Sequence, residues 1–328
     1  MAMSCCKSVD EPTMETKYIE WMRNLPIELH NEPITKIAIP GTHDSFAFYL
    51  SRHAGPDLDA ALRRVHVLIS PIIKNWSITQ NLTFAEQLHI GLRYFDLRVC
   101  CTTNESQSKK GSFSFTHGLL GGSVRNGLVE INEFLNQHSR EIVLLDFNHF
   151  YDFNEQCGHE QFIELVHEIF GQKICTTAET IIECTLNYLW NNQQQVILLY
   201  GQNRDQCSAY MDRIGHFFQI CQSPWANTPR VDDLFRFLDE KVSTSRSTTC
   251  MNVVQGQITP DSATIQNNPF SSLENQARIT NRRLIEWLAS RQRDPSLING
   301  VNVVICDFAD QKFAETVIML NHQKNTSL

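Results

Sequence analysis

EIVLLDFNHF (141–150) is the stretch on which the fold turns. After Glu141 the residues are unbroken apolar, and polar side chains arrive only at Asp146 and Asn148. A strand with one wet face alternates, whereas a strand covered on both faces runs apolar throughout, as in a parallel sheet packed between helices. The same grammar recurs outward in both directions, in ITKIAIPG (34–41), RYFDLRV (93–99), QVILLYG (195–201), NVVQG (252–256) and VNVVICDF (301–308). SFSFTHG (112–118) alternates and reads as a further strand. Helical signals fall between these runs. Thr83-Phe84-Ala85-Glu86 has the form of a capping box and should open a short helix that stops at Gly91. Val124, Leu128, Ile131 and Leu135 make one apolar stripe at helical spacing, and Phe162, Leu165, Val166, Ile169 and Phe170 make another. Two more helices are expected over 275–290 and 310–322, and a hidden strand around 216–220. Strands alternating with helices give an α/β fold with a parallel sheet covered on both faces, which as a single domain suits a TIM-type (β/α) barrel. The 328 residues suit such a barrel, roughly 250 residues, plus extensions. The expected division is an N-terminal extension over 1–30, the barrel over 31–322 and a tail over 323–328.

Composition narrows the function. Lys+Arg number 28 against Asp+Glu 36, a net charge of −8, which speaks against nucleic acid and against a globally basic, membrane-hugging surface. The 11 cysteines are scattered apart from Cys5-Cys6 and Cys100-Cys101, and no C-x-x-C pair supports a zinc site. Residues 1–12 (MAMSCCKSVDEP) hold no apolar signal core, so a cytoplasmic protein with reduced, mostly buried thiols is expected. On that view the sequons at Asn75, Asn81, Asn104 and Asn325 are chance matches, and Cys5-Cys6 are surface thiols with acylation as the alternative. No run approaches the roughly 18 apolar residues of a membrane span.

Polar residues gather where the apolar strands end. His43-Asp44 follows the first, Asp96 and Arg98 close the second, His117 closes the third, Asp146 and Asn148 close the fourth, and Asp307 and Asp310 follow the last. In a parallel barrel all those ends meet on one rim. Two histidines can serve as general base and general acid near neutral pH. An arginine offers a fork that matches phosphate, and an aspartate can fix a histidine's tautomer. Together the set suits phosphoryl transfer by acid–base catalysis. Most of the 12 histidines are expected to be structural, among them His30, His53, His89, His138, His159, His167, His216 and His322.

IAIPGTHDSF (37–46), QLHIGLRYFDLRV (87–99), FTHGLLGG (115–122) and EIVLLDFNHFY (141–151) resemble the X domain of phosphatidylinositol-specific phospholipase C, and most of all the small animal proteins that carry a lone X domain. The resemblance is strong over 34–151 and weaker to about 320. It implies a distorted barrel that cleaves inositol phospholipid in two steps, with the inositol 2-hydroxyl attacking phosphorus and a cyclic phosphate formed first. By carry-over His43 is the general base, His117 the general acid, Arg98 the phosphate-stabilising cation, Asp44 an aid to His117 or the leaving group, and Asp307 the group that orients His43. The calcium ligands of the large signalling enzymes read here as Asp44, Asp96 and Arg98. The Arg98 cation stands where a metal ligand would be, so no cofactor and no calcium requirement is expected.

The resemblance thins in the headgroup pocket. Where bacterial relatives place a lysine on the fourth strand, this chain offers Asp146 and Asn148. Later strands supply Tyr200, Gln202, Gln255 and Gln257 in place of arginine, aspartate and tyrosine. Asp96, Asp146, Asn148, Tyr200 and Gln255 are the expected substrate-binding set. The partner is an inositol phospholipid at a membrane surface touched transiently, with Phe46-Ala47-Phe48-Tyr49-Leu50, Leu119-Leu120 and Trp225 as candidate contacts. Two other functions fit the same residues. One is a barrel that binds inositol lipid with little turnover. The other is a metal-dependent glycerophosphodiester phosphodiesterase, which Arg98 beside Asp96 opposes because a hard cation needs a carboxylate cluster.

Overall fold

The structure, a computed structural model, describes residues 18–102, 112–154, 157–202 and 207–323. Cys5, Cys6, Asn104, the Lys109-Lys110-Gly111 turn, Asn325 and the tail from 324 lie outside the described residues. The strands in chain order are β1 (Ile39–Thr42), β2 (Tyr94–Thr102), β3 (Ser112–His117), β4 (Leu119–Ser123), β5 (Val143–Tyr151), β6 (Val196–Tyr200), β7 (Cys221–Gln222), β8 (Met251–Gln255), β9 (Gln292–Arg293), β10 (Gly300–Val301) and β11 (Val303–Cys306). The wall of the barrel runs β6-β5-β2-β1-β11-β8-β7, each neighbour parallel to the next. A parallel bridge between Tyr200 and Phe218 joins the approach to β7 back to β6. The Tyr200 amide donates to the Phe217 carbonyl at 2.9 Å, and the Gln219 amide to the Tyr200 carbonyl at 3.0 Å. The strand expected near 216–220 is therefore the piece that closes the ring.

The local signals explain the elements around it. Thr83 and Glu86 cap the helix Phe84–His89 reciprocally, as their spacing predicts. The stripe Val124, Leu128, Ile131 and Leu135 is the buried face of the helix Val124–Gln137. Gly41 sits where β1 meets β2, and a Cβ there would lie 2.6 Å from the Tyr94 carbonyl oxygen, so a side chain would push the two strands apart.

Three features depart from the sequence reading. First, ITKIAIPG is only half strand: Ile34–Lys36 form a 3₁₀ turn, and β1 starts at Ile39. Asn302, buried between β10 and β11, donates to the carbonyls of Ile34 and Ile37, so that run is apolar because it is buried, not because it is extended. Second, β3 is not a barrel strand. It runs antiparallel to β2 and forms a hairpin with β4. β2 continues past the barrel to Thr102, and β3 returns along it with Phe115 opposite Val99. Third, the cysteines are not all reduced, for Cys101 and Cys157 form a disulfide that ties the far end of β2 to the loop after β5. Composition and spacing carry no signal for that pair, whose separation of 56 residues is bridged only by the fold. Cys100, Cys175, Cys184, Cys207 and Cys306 are free and buried, as expected of small apolar groups.

Residues 18–25 close the foot of the barrel. Trp21 donates to the Gly91 carbonyl, and the amides of Met22 and Arg23 donate to the Glu141 carboxylate, which pairs with the buried Arg93 at 2.8 Å. Trp21 and Met22 belong to a stretch set apart by sequence as an extension, yet both are buried beside Ile37, Tyr94 and Ile142. With one end sealed, the opposite rim is free to hold chemistry.

Candidate active site

Asp44 is the centre of the rim. It is fully buried, two residues past the end of β1, with φ +39°. Phe308, following Asp307 after β11, has φ +48°. Left-handed backbone at a non-glycine residue costs on the order of 1–3 kcal/mol and persists only where neighbours hold it. Here Thr79 does so from both sides: its hydroxyl donates to the Asp44 carbonyl at 2.9 Å, and its own carbonyl accepts from the Phe308 amide at 2.6 Å. Gln80 adds a tie, its amide nitrogen donating to the carbonyls of His43 and Cys306. The two loops that carry His43, Asp44 and Asp307 are thus locked together by a Thr-Gln pair that sequence reading did not single out.

The side chains converge on the Asp44 carboxylate. Oδ2 lies 3.3 Å from His43 Nε2 and 3.2 Å from His117 Nε2, and Oδ1 lies 2.8 Å from Arg98 Nε. These are ion-pair contacts and not aligned hydrogen bonds, since both carboxylate oxygens and Arg98 Nε lack a partner of good hydrogen-bond geometry. The imidazole rings stand 6.2 Å apart, centroid to centroid. His43 Nδ1 donates to Asp307 Oδ1 at 2.7 Å, and His117 Nδ1 donates to the Ser77 carbonyl at 2.8 Å. A carbonyl oxygen only accepts, so the Nδ1 proton of His117 is fixed and Nε2 is the working atom. The same holds for His43 against Asp307. Both working nitrogens therefore face one volume, with Arg98 beside it.

Electrostatics follow from that packing. Burial alone would pull the His43 imidazole down, but Asp44 and Asp307 outweigh it and hold the group at about 9. Burial alone would raise Asp44; Arg98, His117 and His43 together drive it to about 2. Asp44 is thus a fixed anion held between Arg98 and the two imidazoles. Arg98 is raised further, its burial more than offset by Asp44 and Asp96.

All five residues expected to be catalytic, His43, Asp44, Arg98, His117 and Asp307, meet here. His117 arrives by a route sequence did not predict. The β3 hairpin folds back along β2 and returns it to the height of Leu97 and Arg98. Asp96 and Asn148 flank the set, with Asn148 Nδ2 donating to Asp96 Oδ1 at 2.5 Å and the Asp44 amide donating to Asp96 Oδ2 at 3.1 Å. His43, Asp44 and Asp96 each offer a ligand atom within 4.8 Å of one another, a geometry that would suit a metal ion. Their oxygens are already engaged, however: Asp44 by Arg98 and the histidines, Asp96 by Asn148 and the Asp44 amide.

Inward from Arg98 opens a cleft of about 350 Å³. Asp146 and Asn148 line it as expected. Tyr200 and Gln255 line it too, but their polar ends are not offered to a ligand. The Tyr200 hydroxyl meets His159 Nδ1 at 2.9 Å, and the Gln255 amide is held by Ser223 and Gln257. Asp310, grouped by sequence with the rim acids, caps the helix Gln311–Met319. His149 was missed. Strict alternation from Asp146 and Asn148 turns it outward, yet a bulge between Leu97 and Arg98 pairs Arg98 with His149, and both line the cleft. Of the apolar rim candidates, Phe46, Ala47, Leu50 and Leu119 are buried core, while Tyr49 and Trp225 are exposed.

A barrel closed by parallel strands in this order is the fold of bacterial phosphatidylinositol-specific phospholipases C. The Listeria monocytogenes enzyme superposes with a TM-score of 0.63 at 17% identity over 92% of this chain and 98% of its own. A Staphylococcus aureus enzyme superposes at 0.64 and 18% over 94% and 99%. No protein-family model matches. Among relatives, PI-PLC X domain-containing protein 2 of Mus musculus is 37% identical over 313 residues, covering 92% of this chain and 87% of its own length. PI-PLC X domain-containing protein 3 of Mus musculus is 33% identical over 323 residues, covering 95% and 96%. The chain belongs to the PI-PLC X domain-containing protein family.

Proposed function

We propose that the protein is a phosphoric diester hydrolase that cleaves inositol phospholipid to diacylglycerol and a cyclic inositol phosphate without a metal ion. The observation that carries this reading is the pair of Nε2 atoms facing one volume across Asp44, with the Arg98 guanidinium at its side. His43 Nε2 takes the proton of the attacking hydroxyl. His117 Nε2–H returns one to the leaving alkoxide of diacylglycerol. Arg98 neutralises the non-bridging oxygens as charge builds on them. Asp307 keeps His43 in its tautomer, and the Asp44 carboxylate holds both imidazoles and Arg98 around it. Because Arg98 already holds the anionic cluster, a calcium ion is not needed there.

A lipid substrate requires contact with a bilayer. The helix His66–Ser77 runs beside His117, whose Nδ1 it receives at Ser77, and it exposes Val67 and Leu68 by 75% and 82%. Arg63 and Arg64 precede it, and Phe270 stands almost wholly exposed in the loop before the helix Leu273–Leu288 that packs against it. Apolar side chains flanked by arginines suit a peripheral, anionic lipid surface. No helix among the described residues is long and apolar enough to cross a membrane.

The test is phosphorus NMR of phosphatidylinositol vesicles incubated with the protein in EDTA, beside His43→Ala and His117→Ala. A cyclic inositol phosphate formed by the native chain and lost in both variants is expected. Product that requires added calcium would overturn metal independence. No product under any condition would leave a barrel that binds without turnover.

A further inference from the structure

We propose that Asp57 is a positioning residue that holds His117 in place as the acid of the cleavage. That role rests on the phosphodiesterase reading and adds a residue to the machinery of the same site. His117 is the last residue of β3, and Gly118 alone separates it from β4, so that His117 lies opposite Leu119 across the turn. Gly118 takes φ +68°, a conformation glycine adopts at little cost. The end of a strand ladder opens more easily than its middle. A proton donor, however, must keep its nitrogen within hydrogen-bond reach of the leaving oxygen, and a misplacement of about 1 Å can cost roughly a hundredfold. The tip that carries His117 therefore needs a hold from outside the hairpin.

Residues 51–58 supply it. They run beside the tip as a strap: the Leu120 amide donates to the His53 carbonyl at 2.9 Å, the Gly55 amide donates to the Gly118 carbonyl at 2.9 Å, and Ala54 bridges Leu119. From this strap the half-buried Asp57 carboxylate grips the chain on either side of His117. Its Oδ1 accepts from the hydroxyl of the fully buried Thr116, and its Oδ2 accepts from the Gly118 amide at 2.7 Å. Bonds to an ionised acceptor are about twice as strong as neutral ones. Gly55 makes room for this grip, since a Cβ there would lie 2.6 Å from Asp57 Oδ1 and closer still to Thr116 Oγ1. The other task open to an acid in this stretch belongs to Asp59, which caps the short helix Ala60–Arg63. Among the described residues, the hydrogen bonds that Asp57 accepts both come from the neighbours of His117. Asp57 thus fixes where the backbone of His117 stands, and the Ser77 carbonyl fixes which way its ring faces. The Asp57 charge also reaches Arg98, behind those of Asp44, Asp96 and Tyr151.

The experiment compares two water-soluble esters of inositol 1-phosphate, so that membrane contact plays no part. A butyl ester expels an alkoxide that must be protonated as it leaves, whereas a 4-nitrophenyl ester expels a stable phenolate that needs no proton. Asp57→Asn keeps the shape but leaves one of the two donors without an acceptor, and Thr116→Val removes one donor while keeping the carboxylate. His117→Ala sets the pattern for a lost acid. The expected result for Asp57→Asn is a loss of at least about thirtyfold on the butyl ester and less than about threefold on the nitrophenyl ester, with the same selectivity, smaller, in Thr116→Val. Equal losses on both esters overturn the proposal, because Asp57 would then act through the fold or through Arg98, which serve both substrates alike. No loss on either ester overturns it too. If Asp57→Asn does not fold, Thr116→Val decides by the same criterion. If the native chain cleaves neither ester, nitrogen NMR of the neutral His117 ring decides instead: an Nδ1–H tautomer that becomes mixed in the variants supports the hold, and an unchanged tautomer overturns it. The phosphodiesterase reading itself fails only if phosphatidylinositol vesicles are also left intact.

Discussion

Replacing Asp307 by asparagine isolates what holds His43 in its working state. The carboxylate accepts from His43 Nδ1 at 2.7 Å and, with Asp44, keeps the imidazole at about 9 against the downward pull of burial. An opposite charge at hydrogen-bond distance raises a histidine by roughly 1–2 units, so its removal should bring His43 to about 7–8. The sign fixes the shape of the outcome. A general base works in its neutral form. At pH 7 a group at about 9 is about 1% neutral, whereas one near 7.5 is about a quarter neutral. The asparagine variant therefore has more usable base at low pH, although each neutral imidazole is less basic and less well oriented, at a cost of roughly a hundred- to ten-thousand-fold at the plateau. The rising limb of kcat/KM should shift acidward by 1–2 units, and the ratio of native to variant rate should grow roughly tenfold or more between pH 6 and pH 10. The assay is phosphorus NMR of product against pH. It is paired with imidazole proton titration of His43, assigned through His43→Ala. A rising limb that stays in place, or that moves to higher pH, would show that Asp307 does not set the charge on His43.

Other perturbations read other parts of the molecule. Asp146 titrates upward on folding, from an ordinary carboxyl value to about 7, so the folded chain binds the extra proton and stability should fall as pH rises from about 4 to 7. Some 3 units correspond to at most about 4 kcal/mol, and Asp146→Asn should recover part of it at pH 8 but almost none at pH 4 in urea unfolding. A variant no more stable than the native chain at pH 8 would refute the burial argument. Breaking Cys101–Cys157 with serine at both positions should cost about 2–4 kcal/mol, reproduced in the native chain by dithiothreitol. An unfolding midpoint indifferent to the reductant would count against the tie. Charging the helix face with Val67→Asp and Leu68→Asp should weaken sedimentation with phosphatidylinositol-containing vesicles at least tenfold. Retained sedimentation would place the membrane contact elsewhere.

Much of the barrel was legible because burial on both faces leaves a mark in one strand at a time. IVLL (142–145) and VILLY (196–200) are apolar without alternation, and each became part of a wall strand. The meeting of His43, Asp44, Arg98, His117 and Asp307 was legible for a related reason: polar residues that end buried strands are costly unless they find partners, and on a common rim they meet. What stayed hidden depended on pairing between distant segments. SFSFTHG carries the alternation of a strand but nothing that says whether it lies parallel or antiparallel to β2. The disulfide is likewise a product of β2 overshooting the rim, not of any spacing. Polar tips at Tyr200 and Gln255 looked available because composition does not record that His159 and Ser223 take them first.

The bulge at Arg98 shows why such errors fall where they matter most. Had β2 and β5 kept register, Arg98 would face Asn148, and His149 would point into the surrounding helices. One extra residue on β5 instead sets Arg98 against His149 and leaves Asn148 free to brace Asp96. The gain is local: three polar side chains from two positions' worth of ladder reach the same cleft, at the expense of one unpaired backbone step. His149 lies exposed at the edge of the cleft, lowered by desolvation and by Arg98, whereas His43 is raised to about 9. That placement of His149 opposite Arg98 follows from a register shift that no periodicity in the sequence encodes, so the bulge, more than any single side chain, decides which polar groups of β5 reach the cleft.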